Sequence, residues 1–271
     1  MWLISANCLV LPMVQEIAMS KALRSMPSWL AGVVSTVVVL LAWELICWLG
    51  QVREVILPRP SLILEDLYGE LGWYMGQALY TLGITLAGFV LAAVGGVLIA
   101  VALVGSPLFE RFCYPLIVGF NSIPKVALAP LFVVWMGTGY EPKVAIAFLI
   151  AVFAVIVDTV QGLRSVSPDI LDLGRVLKGG PVALFFKVRL PSALPSIMAG
   201  LKVALSLALV GAIVGEFVSS QRGLGFVIMS AQGVFDTVRV FSALFILAVM
   251  GLVLYFLLDA VEKRATRFRS N

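Results

Sequence analysis

Histidine is absent from the 271 residues. With it go the commonest general base near neutral pH and the commonest side chain for binding transition metals. His-based triads and His-ligated zinc or haem are therefore excluded. Charge is scarce too: Asp, Glu, Lys and Arg make up 13% of the chain, against about 25% in soluble domains. Cysteine is limited to Cys8, Cys47 and Cys113, which stand apart in apolar surroundings without paired spacing. They read as small hydrophobic residues rather than a disulfide, redox or metal site. Missing as well is a G-x-x-x-x-G-K-[ST] phosphate loop.

What fills the chain is apolar side chain, 61% of it. That excess, set against so little charge, excludes a water-soluble globule and a disordered tail. A bilayer core about 30 Å thick needs roughly 20 apolar residues of helix. Six stretches qualify: residues 30–49, 77–104, 112–136, 144–163, 193–217 and 240–260. Turn-forming residues follow several of them, as in Leu57-Pro58-Arg59-Pro60, Gly105-Ser106-Pro107, Gly137-Thr138-Gly139 and Arg222-Gly223-Leu224-Gly225. The fold class expected is an all-α polytopic membrane protein with six transmembrane helices.

The net charge of +4 has a membrane explanation and gives no reason to expect nucleic acid. With the N-terminus inside, the inner segments carry 12 Lys and Arg and the outer segments 5. The positive-inside rule then places both termini and the Arg164–Arg189 stretch in the cytoplasm. Residues 1–29 are expected to be an N-terminal cytoplasmic segment and 30–50 the first transmembrane helix. The first 20 residues are apolar without early positive charge, and Pro12 and Glu16 interrupt them. They make a poor signal peptide; either they form an interfacial segment or, the favoured expectation, translation starts at Met13 or Met19.

Residues 164–192 form the longest connection, and long connections are usually functional. Ser167 is a good N-cap, Pro168 suits the first helical position and Asp169 complements the helix dipole. Ile170, Leu173, Gly174 and Leu177 follow at helical spacing. Gly179-Gly180 stops that helix. Pro181 opens a second one, with Val182, Phe185, Phe186 and Arg189 along one side, ended by Leu190-Pro191. Two short helices hang below the membrane about a Gly-Gly hinge. The residues alone leave two uses open: a pair lying on lipid headgroups, or a docking element for a cytoplasmic protein.

This loop resembles the coupling-loop signature of ABC importer permeases: E-A-A, three residues, G, nine residues, I-x-L-P. Here it reads Asp172-Leu173-Gly174, three residues, Lys178, nine residues, then Val188-Arg189-Leu190-Pro191. The spacing matches throughout, but Lys178 stands where the glycine belongs, with Gly179 one place later. Leu57-Pro58-Arg59-Pro60-Ser61 resembles the opening before the transport core. Ile123 to Leu131 (I-P-K-V-A-L-A-P-L), and Gly215-Glu216-Phe217 followed by Arg222 to Phe226 (R-G-L-G-F), resemble the sulfonate, nitrate, taurine and thiamine-precursor branch. The resemblance implies a type I ABC importer permease core over residues 60–265 with a coupling loop at 164–192. Asp172, Gly174, Lys178, Gly179, Gly180, Val182, Phe185, Leu190 and Pro191 would couple to the ATPase, with Val182 and Phe185 as apolar anchors. It also implies a second permease copy in a homodimer, two cytoplasmic ATPase subunits and an extracytoplasmic binding protein. The chain would be no enzyme and bind no cofactor or metal, with ATP and magnesium held by the partner ATPase. The solute would be small, anionic or heterocyclic.

Charges inside spans are costly and mark functional candidates. Lys125 falls near mid-depth of the third span beside Asn121-Ser122, Pro124 and Pro130; Asn121, Lys125 and Glu216 are the substrate-pathway candidates. Glu216, before the Gly-rich loop, also suits an outer gate or a tether for that loop. Lys125 alternatively suits an ion pair with a neighbouring helix. Glu44 suits an interfacial carboxylate or a helix–helix pair, and Asp158 and Lys202 suit pairing or snorkelling. Gly83, Gly88, Gly95 and Gly96 suit close helix packing. A polytopic enzyme lacks a nucleophile–base pair or metal cluster here. A secondary transporter remains the alternative; it would show inverted repeats and have no use for a docking loop.

Overall fold

A computed structural model describes residues 28–267. The expectations on the translation start, and on the N-terminal segment up to residue 27, lie outside the described residues. The rest is helical: α1 Ser28–Leu49, α2 Pro60–Gly69, α3 Leu71–Gly105, α4 Pro107–Ser122, a 3-10 turn Lys125–Leu128, α5 Ala129–Met136, α6 Glu141–Arg164, α7 Pro168–Val176, α8 Pro181–Leu184, a π turn Phe185–Arg189, α9 Leu190–Ser219, α10 Leu224–Gly233 and α11 Thr237–Arg267.

The chain divides into two units at Leu64, within α2. In the first, α1 is apolar all round and almost wholly exposed, as a lipid-facing helix is. Its one carboxylate, Glu44, accepts from the Ser61 N–H at 3.0 Å and the Ser61 hydroxyl at 2.8 Å. That satisfies an orphan donor in the first turn of α2 and sets negative charge at a helix N-terminus.

The second unit is built on α3, α6 and α9. Small residues let their backbones approach: a Cβ at Gly88 would lie 2.5 Å from that of Ala147, one at Gly96 2.7 Å from that of Val155, and one at Gly211 2.6 Å from the Cα of Ala147. Ala92, Ala100, Ala151, Val155, Ala204 and Ala208 fill the seam. Van der Waals contact between close backbones is what holds helices together where lipid removes the hydrophobic drive.

Five helices are long and apolar enough to cross a membrane, and a sixth crossing exists where α4 and α5 count as one. That pair covers the span expected over residues 112–136 and is bent by 86° beside its prolines. Pro124 has no N–H and forces the preceding residue out of the α region; Ile123 is accordingly extended, at φ −74° and ψ 134°. A correction concerns Leu190-Pro191, which does not end a helix. Helix runs without a break from Pro181 to Ser219. The π turn Phe185–Arg189 widens the backbone just before Pro191, where a regular turn would press the ring against the carbonyl four residues back. Helix α10 was not expected at all. Its Leu224, Val227, Ile228 and Ala231 are buried at helical spacing.

Candidate functional site: a loop, a helix break and a buried carboxylate

The loop between α6 and α9 carries the strongest local pattern. Helix α7 ends in a reverse turn in which the Gly179 N–H donates to the Gly174 carbonyl at 2.9 Å. This six-residue closure needs a left-handed residue before its donor, and that residue is Lys178, at φ +57°. Gly179 and Gly180 therefore do not make the bend. The left-handed position thus falls on Lys178, the place where the signature resembled above has its glycine. A side chain at Gly174 would have to push aside the tip of Leu184.

Phe185 also departs from expectation. It is half-buried and packs on the cluster of Leu163, Ala193 and Ile197, so it fastens the loop to its own helices. Leu173, Val176, Leu177, Val182 and Phe186 instead present 60–78% of their surface. These apolar side chains lie outside the long apolar spans, apart from Val182 and Phe186 at the head of the Pro181–Ser219 helix. Asp172 is exposed, Leu190 half-buried and Pro191 exposed.

At the break between α4 and α5, the Lys125 Nζ donates to the Asn121 carbonyl at 3.1 Å and to Asn121 Oδ1 at 2.9 Å. It also lies 4.8 Å from the centroid of the Phe153 ring. The carbonyl is one of those left unpaired at a helix C-terminus, where a cation is favoured. The acidic partner considered for Lys125 is not found: among the described residues no carboxylate pairs with it. Lys202 does not pair with Asp158; it bridges Asp259 at 2.6 Å and Glu262 at 2.5 Å on α11.

Glu216 is 1% exposed and both of its oxygens are engaged. Oε1 accepts from the Thr81 hydroxyl at 2.8 Å and Oε2 from the Gly225 N–H at 2.7 Å. Thr81 Oγ1 accepts from the Leu224 N–H at 2.8 Å, and Gln77 Oε1 from the Gly223 N–H at 2.7 Å. The carboxylate thus holds the Gly-rich loop, the tether role rather than a place on a solute path. Gly223, at φ +101°, leaves room for it; any side chain would overlap the carboxylate. Nearby, buried Lys143 donates to the Thr138 carbonyl at 3.1 Å and the Gly139 carbonyl at 2.7 Å. The sequence reading missed Gln77 and Thr81. Their spacing with Thr85, every fourth residue of an otherwise apolar span, marks a polar stripe.

Comparison with known proteins places the whole chain rather than these features. The profile of the family described as "Binding-protein-dependent transport system inner membrane component" matches residues 92–267. A probable ABC transporter permease protein of Haemophilus influenzae is 36% identical over 82% of this chain and 91% of its own. A putative aliphatic sulfonates transport permease protein of Bacillus subtilis is 30% identical over 94% of each. Among solved structures, an inward-facing form of a methionine ABC transporter superposes with a TM-score of 0.65 at 18% identity, over 73% of this chain and 98% of that one.

Proposed function

The chain belongs to the family of binding-protein-dependent transport system inner membrane components, and from that premise we propose how it works as the permease subunit of an ABC importer. Membership makes it a multi-pass membrane protein and a transport subunit rather than an enzyme, with ATP hydrolysis in a separate protein. A secondary transporter finds no support. Two copies of the chain form the pathway, two ATPase subunits holding ATP and magnesium dock from the cytoplasm, and an extracytoplasmic binding protein delivers the solute. Both termini and the 164–192 loop face the cytoplasm.

The observation that carries docking is the exposed apolar set Leu173, Val176, Leu177, Val182 and Phe186 on a loop closed by a left-handed turn. Exposed apolar patches of this kind mark interaction surfaces. Asp172, Gly174, Lys178, Gly179, Gly180, Leu190 and Pro191 shape the loop around that set, and Phe185 ties it to α6 and α9. Helix continuity from Pro181 to Ser219 passes a movement of the loop into the membrane. Lys125, with Asn121, meets a small anionic solute; the sulfonate-transporting relative is consistent with that charge.

The test is co-purification with a cognate ABC ATPase subunit. The permease alone should hydrolyse no ATP, and the complex should. Truncating an interface anchor typically costs about 2 kcal/mol or more, roughly 30-fold in affinity. Phe186→Ala should therefore weaken ATPase binding about that much while the protein still inserts and dimerises. Normal binding in both Phe186→Ala and Val182→Asp would refute docking through this loop.

A further inference from the structure

Resting on the function proposed above, we infer that a groove between α4 and α6 is the inner release path for an anionic solute, with Lys125 over the Phe153 ring at one end and the Arg164–Glu110 ion pair at the other. The groove encloses about 650 Å³. On α6 it follows one helix face: Phe153, Val157, Gln161 and Arg164. On α4 it is lined by Val118, Asn121 and Ser122 among others. Phe153 stands halfway along α6, so the ammonium over its ring lies at mid-membrane depth. Arg164 closes α6, and its guanidinium meets Glu110 of α4 at 2.6 Å across the groove's other end.

Asn121, Ser122 and Gln161 are exposed side chains within membrane-crossing segments, and Lys125 is half-exposed with no carboxylate partner among the described residues. Polar groups at that depth face a water-filled cavity or a bundle interior rather than lipid. Broken backbone is tolerated there under the same condition, and the 86° break adjoins Lys125. A groove walled by apolar side chains focuses the field of its cations. An anion moving inward thus leaves one cation, Lys125, and meets a second, Arg164, whose present partner Glu110 is a carboxylate it can exchange for the solute. Arg164 is also the first residue of the coupling loop. Movement of the ATPases would therefore pull on that pair. A neutral heterocycle would gain nothing from either cation, so the solute class is narrowed to organic anions.

The experiment needs neither the solute nor the ATPase. In a variant freed of Cys8, Cys47 and Cys113, single cysteines at Val157 (nearer Phe153) and Gln161 (nearer Arg164) are placed in nanodiscs, where both membrane faces are accessible. Each is labelled with anionic 2-sulfonatoethyl methanethiosulfonate and with cationic 2-(trimethylammonium)ethyl methanethiosulfonate. Leu98→Cys, on an exposed face of α3, is the lipid-facing control. Both groove positions should label, and the anionic reagent should be favoured about tenfold or more, the range expected of charge-focusing clefts. Lys125→Gln should abolish the preference at Val157→Cys, and Lys125→Arg should restore it; Arg164→Gln should lower it at both positions. Groove cysteines as unreactive as the control would overturn the proposal, and so would a preference indifferent to Lys125. Either result would leave ATPase docking, which is tested separately, untouched.

Discussion

Lys178 holds a backbone conformation that costs a residue with a side chain about 1 kcal/mol or more and a glycine almost nothing. Its φ of +57° is fixed by the Gly179-to-Gly174 closure. Lys178→Gly should therefore stabilise the turn by about 1 kcal/mol, seen as slower thermolysin cleavage between α7 and α8 with no loss of ATPase binding. Faster cleavage would show that the lysine side chain, rather than the backbone, shapes the turn. Glu216 is the opposite case, a side chain that cannot be spared. Glu216→Ala would strand the buried Gly225 N–H, a loss of about 1–3 kcal/mol. Glu216→Gln keeps one acceptor and should fall between it and the parent in thermal unfolding of the purified protein. Gly223→Ala should match the alanine variant, because its methyl would occupy the carboxylate's place.

Among the elements, the α3–α6–α9 seam is limited by its glycines. Gly88→Val would drive a side chain into Ala147 and should cost about 1–3 kcal/mol, read as lost monodispersity and a lower melting temperature. Gly72→Ala, near the start of the same helix, meets open space and should be neutral. Equal behaviour of the two would mean that α3 is not packed as described. The elements differ in how far they can be read from the residues alone. Spans such as Glu141–Arg164 declare themselves by length and composition, and Gly88 and Gly96 by being small in a spanning helix. The break at Lys125 was visible in Pro124 and the polar pair before it, although its angle was not. Pro191 misled because a proline reads as a stop, whereas a widened turn accommodates it. Helix α10 was hidden by its shortness. The tether of Glu216 joins residues 135 positions apart in the chain, and no local pattern reports such a pairing. Phe185 and Phe186 are adjacent and alike in composition; only packing decides that one faces the core and the other the solvent.

On the scale of the whole molecule, the helices that flank the loop also carry fastenings at their far ends. α6 contributes Lys143, which holds the Thr138–Gly139 turn, and α9 contributes Glu216, which holds the Gly-rich loop. The wide turn at Phe185–Arg189 sets the phase between the loop and α9. Such a turn behaves as one residue spliced into an otherwise regular helix, and each residue of an α-helix turns it by about 100°. The two halves of the Pro181–Ser219 rod are thus indexed like a key cut to a particular angle. Removing Ser192, in the regular helix beyond the wide turn, would leave every side chain of the membrane half in place and swing Val182 and Phe186 about a quarter turn around the axis. Such a deletion should insert and dimerise normally yet fail to retain the ATPase on an affinity column. A deletion variant that still retained it would show that the partner reads the loop's composition rather than its bearing.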